Sequence, residues 1–133
     1  MCHVLIIEDE TLVAMDIQNV LIEEGATSFA FAGSQVEAIE EATARLPHVI
    51  TSDVRLSSGT GPLAVRAIRE RFGLIPVMFI SGNPDDCTPR ELDDPVFGKP
   101  FDRARVATEF RRILTAFAGN AAVLGIGAPY LRC

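Results

Sequence analysis

Val4-Leu5-Ile6-Ile7, followed without a gap by Glu8-Asp9-Glu10, is the stretch on which the fold turns. A continuous apolar run rich in β-branched residues has no polar face, so it suits a strand buried on both sides of a parallel sheet. The pattern recurs along the chain. His48-Val49-Ile50-Thr51-Ser52 is a second such run and closes on Asp53, and Pro76-Val77-Met78-Phe79-Ile80 is a third, stopping at Ser81-Gly82-Asn83. Ser28 to Ala32 and Val96-Phe97-Gly98 read as shorter strands, the latter leading into Lys99-Pro100.

Helical periodicity fills the intervals. Leu12, Val13, Met15, Ile17, Val20, Leu21 and Ile22 recur at helical spacing up to Gly25, a natural stop. Gln35 to Leu46 reads as a helix with Ser34 as N-cap and Pro47 as its end. Pro62 suits the first turn of a helix whose apolar side, Leu63, Val65, Ala67, Ile68 and Phe72, runs to Gly73, and Arg103 to Phe117 reads as a last amphipathic helix. Between Pro84 and Asp94 the prolines and acids disfavour a long helix, leaving room for a turn or two around Thr88 to Leu92. Strands alternating with helices predict a doubly wound α/β fold, a five-stranded parallel sheet in flavodoxin-like order 2-1-3-4-5 with helices on both faces. One domain over residues 1–118 and a C-terminal tail over 119–133 without an output domain is the expected organisation.

Composition excludes several classes. A chain of 133 residues with 48% hydrophobic and 23% charged residues is an ordinary globular protein. No apolar run approaches the roughly 20 residues of a membrane span, and acids follow the N-terminal run too soon for a signal peptide, so a cytoplasmic location is expected. With net charge −6 and dispersed Lys and Arg, the footprint of a nucleic-acid binder is missing. Cys2, Cys87 and Cys133 are far apart and lack zinc-ligand spacing, so reduced, unpaired thiols are expected. His3 and His48 each flank a strand, where a surface or edge histidine is commoner than a metal ligand.

In doubly wound folds ligands collect beyond the carboxyl ends of the strands. Glu8, Asp9, Asp53, Ser81 and Lys99 each follow such an end and should therefore converge. Singly, each has a plain reading: an acidic pair caps a helix, Asp53 and Ser81 serve turns, and Lys99 lies on the surface. Together they suit phosphoryl chemistry with a metal. Mg²⁺ prefers oxygen ligands and takes one or two carboxylates with a phosphate oxygen, which Asp9 and Asp53 can supply directly and Glu8 through water. An aspartate carboxylate attacks phosphorus when the site aligns it and neutralises charge, which makes Asp53 the candidate nucleophile. Lys99 offers a point cation and Ser81 a hydroxyl donor to phosphate oxygens.

Leu5-Ile6-Ile7-Glu8-Asp9-Glu10, Thr51-Ser52-Asp53-Val54-Arg55-Leu56, Phe79-Ile80-Ser81-Gly82 and Gly98-Lys99-Pro100-Phe101 resemble, in order and spacing, the motifs of response-regulator receiver domains of the CheY-like superfamily. The resemblance covers about residues 3 to 117. Within that family, residues 76–86 and 95–101 look most like receivers of alphaproteobacterial general-stress regulators and related single-domain proteins. It implies a two-component signalling switch in which Glu8 and Asp9 bind Mg²⁺, and Asp53 accepts phosphate from a sensor histidine kinase or phosphotransferase. It further implies that Arg55 lends its backbone carbonyl to the metal and that Ser81 and Lys99 contact the phosphate. The implied partners are that donor and a downstream protein target; separately, the apolar residues of the tail from Val123 to Leu131 read either as a loose end or as a docking segment for a partner or a second copy of the chain.

Two departures bear on mechanism. Receivers commonly carry an aromatic three residues before the lysine, and here Val96 holds that slot with Phe97 after it. The stretch for the usual fourth helix is broken by prolines, so a loop-ordering switch over residues 82–94 is expected in place of a ring flip. Arg55, two positions after Asp53, either lies in solvent or approaches the mouth of the site. An aspartyl phosphatase would want an acid where Arg55 stands, which argues against turnover and for self-phosphorylation and autodephosphorylation only. The remaining alternative is a phosphorylation-independent interaction module with receiver shape.

Overall fold

The computed structural model describes residues 1–123, with side chains placed through residue 116. Strands β1 (His3–Ile7), β2 (Ser28–Ala32), β3 (Val49–Ser52), β4 (Val77–Ser81) and β5 (Val96–Gly98) alternate with helices α1 (Thr11–Glu23), α2 (Gln35–Ala44), α3 (Gly61–Phe72) and α4 (Arg103–Val123). The strands form one parallel sheet in the order β2-β1-β3-β4-β5. This is the doubly wound arrangement the sequence predicts.

Burial follows strand position. β1, β3 and β4 are buried at every residue, whereas the edge strands β2 and β5 are only partly covered. Successive side chains point to opposite faces, so the unbroken apolar runs feed two cores. On one face Val4, Ile6, Val49, Met78 and Ile80 pack against Ile17 and Leu21 of α1 and Val106 and Phe110 of α4. On the other, Leu5, Ile7, Ile50, Val77 and Phe79 pack against Ala38 and Ala42 of α2 and Ala64, Val65 and Ile68 of α3. Small residues on α2 let it approach the sheet closely.

Local chemistry sets the ends. Ser34 Oγ accepts from Glu37 N at 3.2 Å to start α2, and Thr60 Oγ1 accepts from Leu63 N at 3.3 Å to start α3. α1 and α3 stop before Gly25 and Gly73, whose φ angles of 104° and 95° take the chain out of the helix.

Three expectations need correction. α2 ends at Ala44 rather than Leu46, because Arg45, near Pro47, is already extended. α4 continues past Phe117 to Val123, so the boundary expected after residue 118 falls inside a helix. Its later turns contain Ala118, Ala121 and Ala122, and alanine's helix propensity outweighs a single glycine. Residues 124–133 of the expected tail lie outside the described residues. Cys2 is disulfide-bonded rather than reduced, while Cys87 is free and buried.

The β4 to β5 connection lacks a regular helix among the described residues. It holds a single 3₁₀ turn, Pro84–Asp86, earlier in the chain than the turn allowed at Thr88 to Leu92. Its far end is fixed by Arg69 of α3, which donates to Asp94 at 2.7 and 2.9 Å and to the Ile75 carbonyl at 3.1 and 2.9 Å.

Candidate functional site

Strand register brings the polar residues together. Ile7 lies opposite Ser52, so Glu8 and Asp53 leave the sheet side by side, and the Asp53 amide donates to the Ile7 carbonyl at 2.8 Å. Ser81 pairs with Gly98, and the Lys99 amide donates to the Ser81 carbonyl at 2.9 Å. Backbone hydrogen bonds of the sheet thus carry an acid, a hydroxyl and an ammonium to one rim.

The side chains then meet. Lys99 Nζ donates to Asp53 Oδ2 at 2.9 Å and stands 2.6 Å from Glu8 Oε1 and 3.7 Å from Glu10 Oε1. Asp53 Oδ1 accepts from the Val54 amide at 2.7 Å. Glu8, Asp9, Glu10 and Asp53 can each place a carboxylate oxygen within 4.8 Å of the others. Glu8 and Asp53 form the buried floor of this cluster, and Asp9 and Glu10 its exposed lip. Ser81 is fully buried and its Oγ accepts from the Asn83 amide at 2.9 Å, which leaves the hydroxyl proton to donate.

The two buried acids differ in charge state. Burial raises the pKa of both, as desolvation does for any carboxylate. For Glu8 burial prevails, helped by the neighbouring Asp53 charge and opposed by Lys99, and its pKa is pushed up to about 7. For Asp53 burial is overcome by the Lys99 ammonium, the Ser81 hydroxyl and a hydrogen bond with Glu8, which together hold its carboxyl below the ordinary value. Lys99 is raised: burial alone would lower it, and its bonds to Glu8 and Asp53 outweigh that. Asp53 is therefore the ionised acid of the pair at neutral pH.

A divalent cation fits this donor set. Hard cations such as Mg²⁺ take carboxylate and carbonyl oxygens with several waters, and the clustered acids here combine buried and exposed members. Glu8 Oε1 is buried and is met by the Lys99 ammonium at 2.6 Å, so a cation entering here would share Glu8 with the lysine.

Arg55 follows the first of the two courses the sequence allowed and lies in solvent. Its guanidinium pairs across the surface with Asp86 Oδ2 at 2.6 Å. Its backbone bridges Thr60, whose amide donates to Gln35 Oε1 at 3.2 Å, so the loop after Asp53 is pinned to α2. Val96 packs into the core on the α2 and α3 side, and Phe97 turns to the opposite core beneath the Arg105 guanidinium, 5.7 Å from the ring centroid. Glu10 and Gly61 are the site residues sequence reasoning missed. Glu10 had a signal in its place beside Glu8-Asp9, whereas Gly61 had none short of coordinates.

A doubly wound parallel sheet whose carboxyl rim carries buried acids against one lysine places the chain among α/β proteins with a polar site beyond the strand ends. Residues 4–110 match the family described as response regulator receiver domain, and the chain belongs to that family. It is 33% identical over 116 residues to the phyllosphere-induced regulator PhyR of Methylorubrum extorquens, matching 84% of this chain and 43% of that protein. It is 34% identical over 117 residues to the sensor kinase CckA of Brucella abortus, matching 84% of this chain and 12% of the kinase. The chain thus spans less than half the length of either relative. Among solved structures, the receiver domain of Erythrobacter litoralis PhyR superposes with a TM-score of 0.76 at 28% identity, covering 86% of this chain and 90% of that one. The anti-anti-sigma factor PhyR of Bartonella quintana gives 0.75 at 30% identity over 94% of this chain and 51% of its own. Receiver domains are typically signalling modules rather than turnover enzymes, and they bind Mg²⁺ at an acidic pocket. No helix among the described residues is long and apolar enough to cross a membrane.

Proposed function

We propose that this chain is a phosphorylation-dependent switch in which Asp53 accepts a phosphoryl group from a sensor histidine kinase or a histidine phosphotransferase. The observation that carries this reading is the convergence of Lys99, from beyond β5, on Asp53 at 2.9 Å and Glu8 at 2.6 Å, from beyond β3 and β1. An Asp53 carboxylate oxygen attacks phosphorus while the donor's P–N bond breaks, and that bond's electron pair returns to the imidazole nitrogen. Asp53 is ready for this role because Lys99 and Ser81 keep it ionised.

Asp9 and Asp53 would hold Mg²⁺ directly, with Glu8 through water and the Arg55 backbone carbonyl completing the protein's share. Bound there, the ion offsets the repulsion between phosphate and acids. Lys99, already on Asp53, pairs with a phosphoryl oxygen, and the Ser81 hydroxyl donates to another. The residue two positions beyond the acceptor is Arg55, whose guanidinium is bound to Asp86, so the position from which an aspartyl phosphatase's general acid would act holds no carboxyl group. The state persists as a signal read by a downstream protein.

Acetyl phosphate supplies the test. With Mg²⁺ the chain should gain the mass of one phosphoryl group on Asp53, without Mg²⁺ far less, and Asp53→Asn none. Labelling that is unchanged in Asp53→Asn would refute the acceptor. Partner identity follows from reading the phosphorylated form against candidate kinases. The anti-anti-sigma role is that of the Bartonella quintana protein, of which this chain covers 51%.

A further inference from the structure

The segment joining β4 to β5 is anchored in its middle by Cys87, buried in the core, and is tied by charged side chains of unequal strength on either side of it. At its far end Asp94 is buried, takes two hydrogen bonds from Arg69, and also accepts from the Glu91 amide at 3.0 Å. At its near end Asp86 is held by one contact from Arg55, with side-chain exposures of 52% and 67%. Exposed single contacts of this kind are weak and easily exchanged. Arg55 is also two residues from Asp53, in a loop fixed by its bridge to Thr60 and by Ser57 Oγ donating to the Gly33 carbonyl at 2.8 Å. Its backbone is therefore held, and the side chain alone needs to swing.

From this arrangement we infer that the Arg55–Asp86 ion pair is the catch of a phosphoryl-controlled latch, an inference that rests on the reading of Asp53 as acceptor. In the resting protein Arg55 holds the 3₁₀ turn Pro84–Asp86 against the β3–α3 loop. Phosphorylation replaces the single charge of the Asp53 carboxylate by the nearly two charges of an acyl phosphate, a net gain of about one, and adds three acceptor oxygens at a position two residues from Arg55. A guanidinium fork prefers that dianion to a single exposed carboxylate. Arg55 moves to the phosphoryl oxygens, Asp86 is released, and the turn is freed while Arg69 keeps the Asp94 end in place. The latch transmits phosphorylation by releasing part of the segment over residues 82–94, the reverse of the ordering that the sequence suggests, where Val96 occupies the slot of the usual aromatic.

The test is amide hydrogen exchange on the whole chain with and without acetyl phosphate and MgCl₂, with intact mass read on the same samples. In the wild type, exchange over residues 83–87 should rise roughly two- to fivefold on phosphorylation, the scale of losing an exposed ion pair, while residues 90–95 stay protected. Asp86→Ala and Arg55→Ala should show the raised exchange from the start and little further change. Both side chains are exposed, so neither variant threatens the fold. Phosphorylated wild type with unchanged exchange, resting variants that exchange like wild type, or Arg55→Ala responding as wild type does overturns the latch. Absence of any mass gain at Asp53 overturns the acceptor reading instead, and is recognised by the mass alone.

Discussion

Gly61 shows how little room surrounds the acceptor. A methyl group there would lie 1.7 Å from the Asp53 carbonyl oxygen and 2.3 Å from Ser52 Oγ. Neither neighbour can retreat easily, since the Gly61 amide donates to the Val54 carbonyl at 2.8 Å and Ser52 Oγ donates to the Asp53 carbonyl at 2.8 Å. Gly61→Ala should therefore cost about 1–3 kcal/mol or more, the range for overpacking a tight interior, and slow labelling of Asp53 by displacing its backbone. Urea denaturation and the labelling rate with acetyl phosphate would check both, and an alanine variant with wild-type values of each would show that the α3 entry is free to shift. The reason a glycine is needed is a tertiary contact, which no local pattern encodes. Asp53, Ser81 and Lys99, by contrast, were readable because each ends an apolar run, and strand ends of a parallel sheet must meet. The partner of Arg55 was unreadable for the opposite reason: Asp86 lies in a segment whose path no periodicity dictates.

Among the elements, the helices and strands with strong periodicity appear where the sequence places them, and the differences lie where packing or propensity decides. α4 overruns its expected end because alanines extend it, and the β4–β5 segment holds its shape without a helix because Arg69 and Asp94 fix it. That pair is little exposed, at 12% and 8% for the two side chains, so removing one partner strands a charge. Asp94→Ala should cost about 3 kcal/mol, in the range for breaking a buried pair, and open the amides of residues 90–95 to exchange. Asp86→Ala, by comparison, should cost less than about 1 kcal/mol, as exposed pairs do. Denaturation curves of the two variants, compared with wild type, separate the fixed end of the segment from its movable end. Equal losses would mean that the two ties are not graded as their exposures indicate.

Across the whole molecule, the two ends of the sheet titrate in opposite senses. At the amino end His3 and His48 are both lowered, first by burial, with Arg45 and the chain's amino terminus also repelling a proton, and His48 Nδ1 accepts from the His3 amide at 2.9 Å. Folded histidines that refuse protons give stability that is present above the ordinary value of 6.5 and lost as pH falls below it. At the carboxyl end Glu8 is raised from 4.5 to about 7, so the folded state holds a proton that the unfolded chain has released. Its contribution is present below 4.5 and lost as pH rises to about 7. Between these limits the two trends oppose each other, and the rise from the histidines is offset by the loss from Glu8 in the metal-free wild type. Glu8→Gln removes one of them. Its stability should climb as pH rises toward 6.5 and the histidines deprotonate, and by about pH 8 exceed the wild type by about 1–3 kcal/mol. The same substitution should reduce the gain in melting temperature on adding Mg²⁺, because the acid that burdens the empty site is the one the ion needs. Urea denaturation across that pH range in chelator, repeated with Mg²⁺, reads both effects. Parallel pH profiles for the two proteins would mean that Glu8 is ionised in the metal-free fold, and that Lys99 rather than a proton balances its charge.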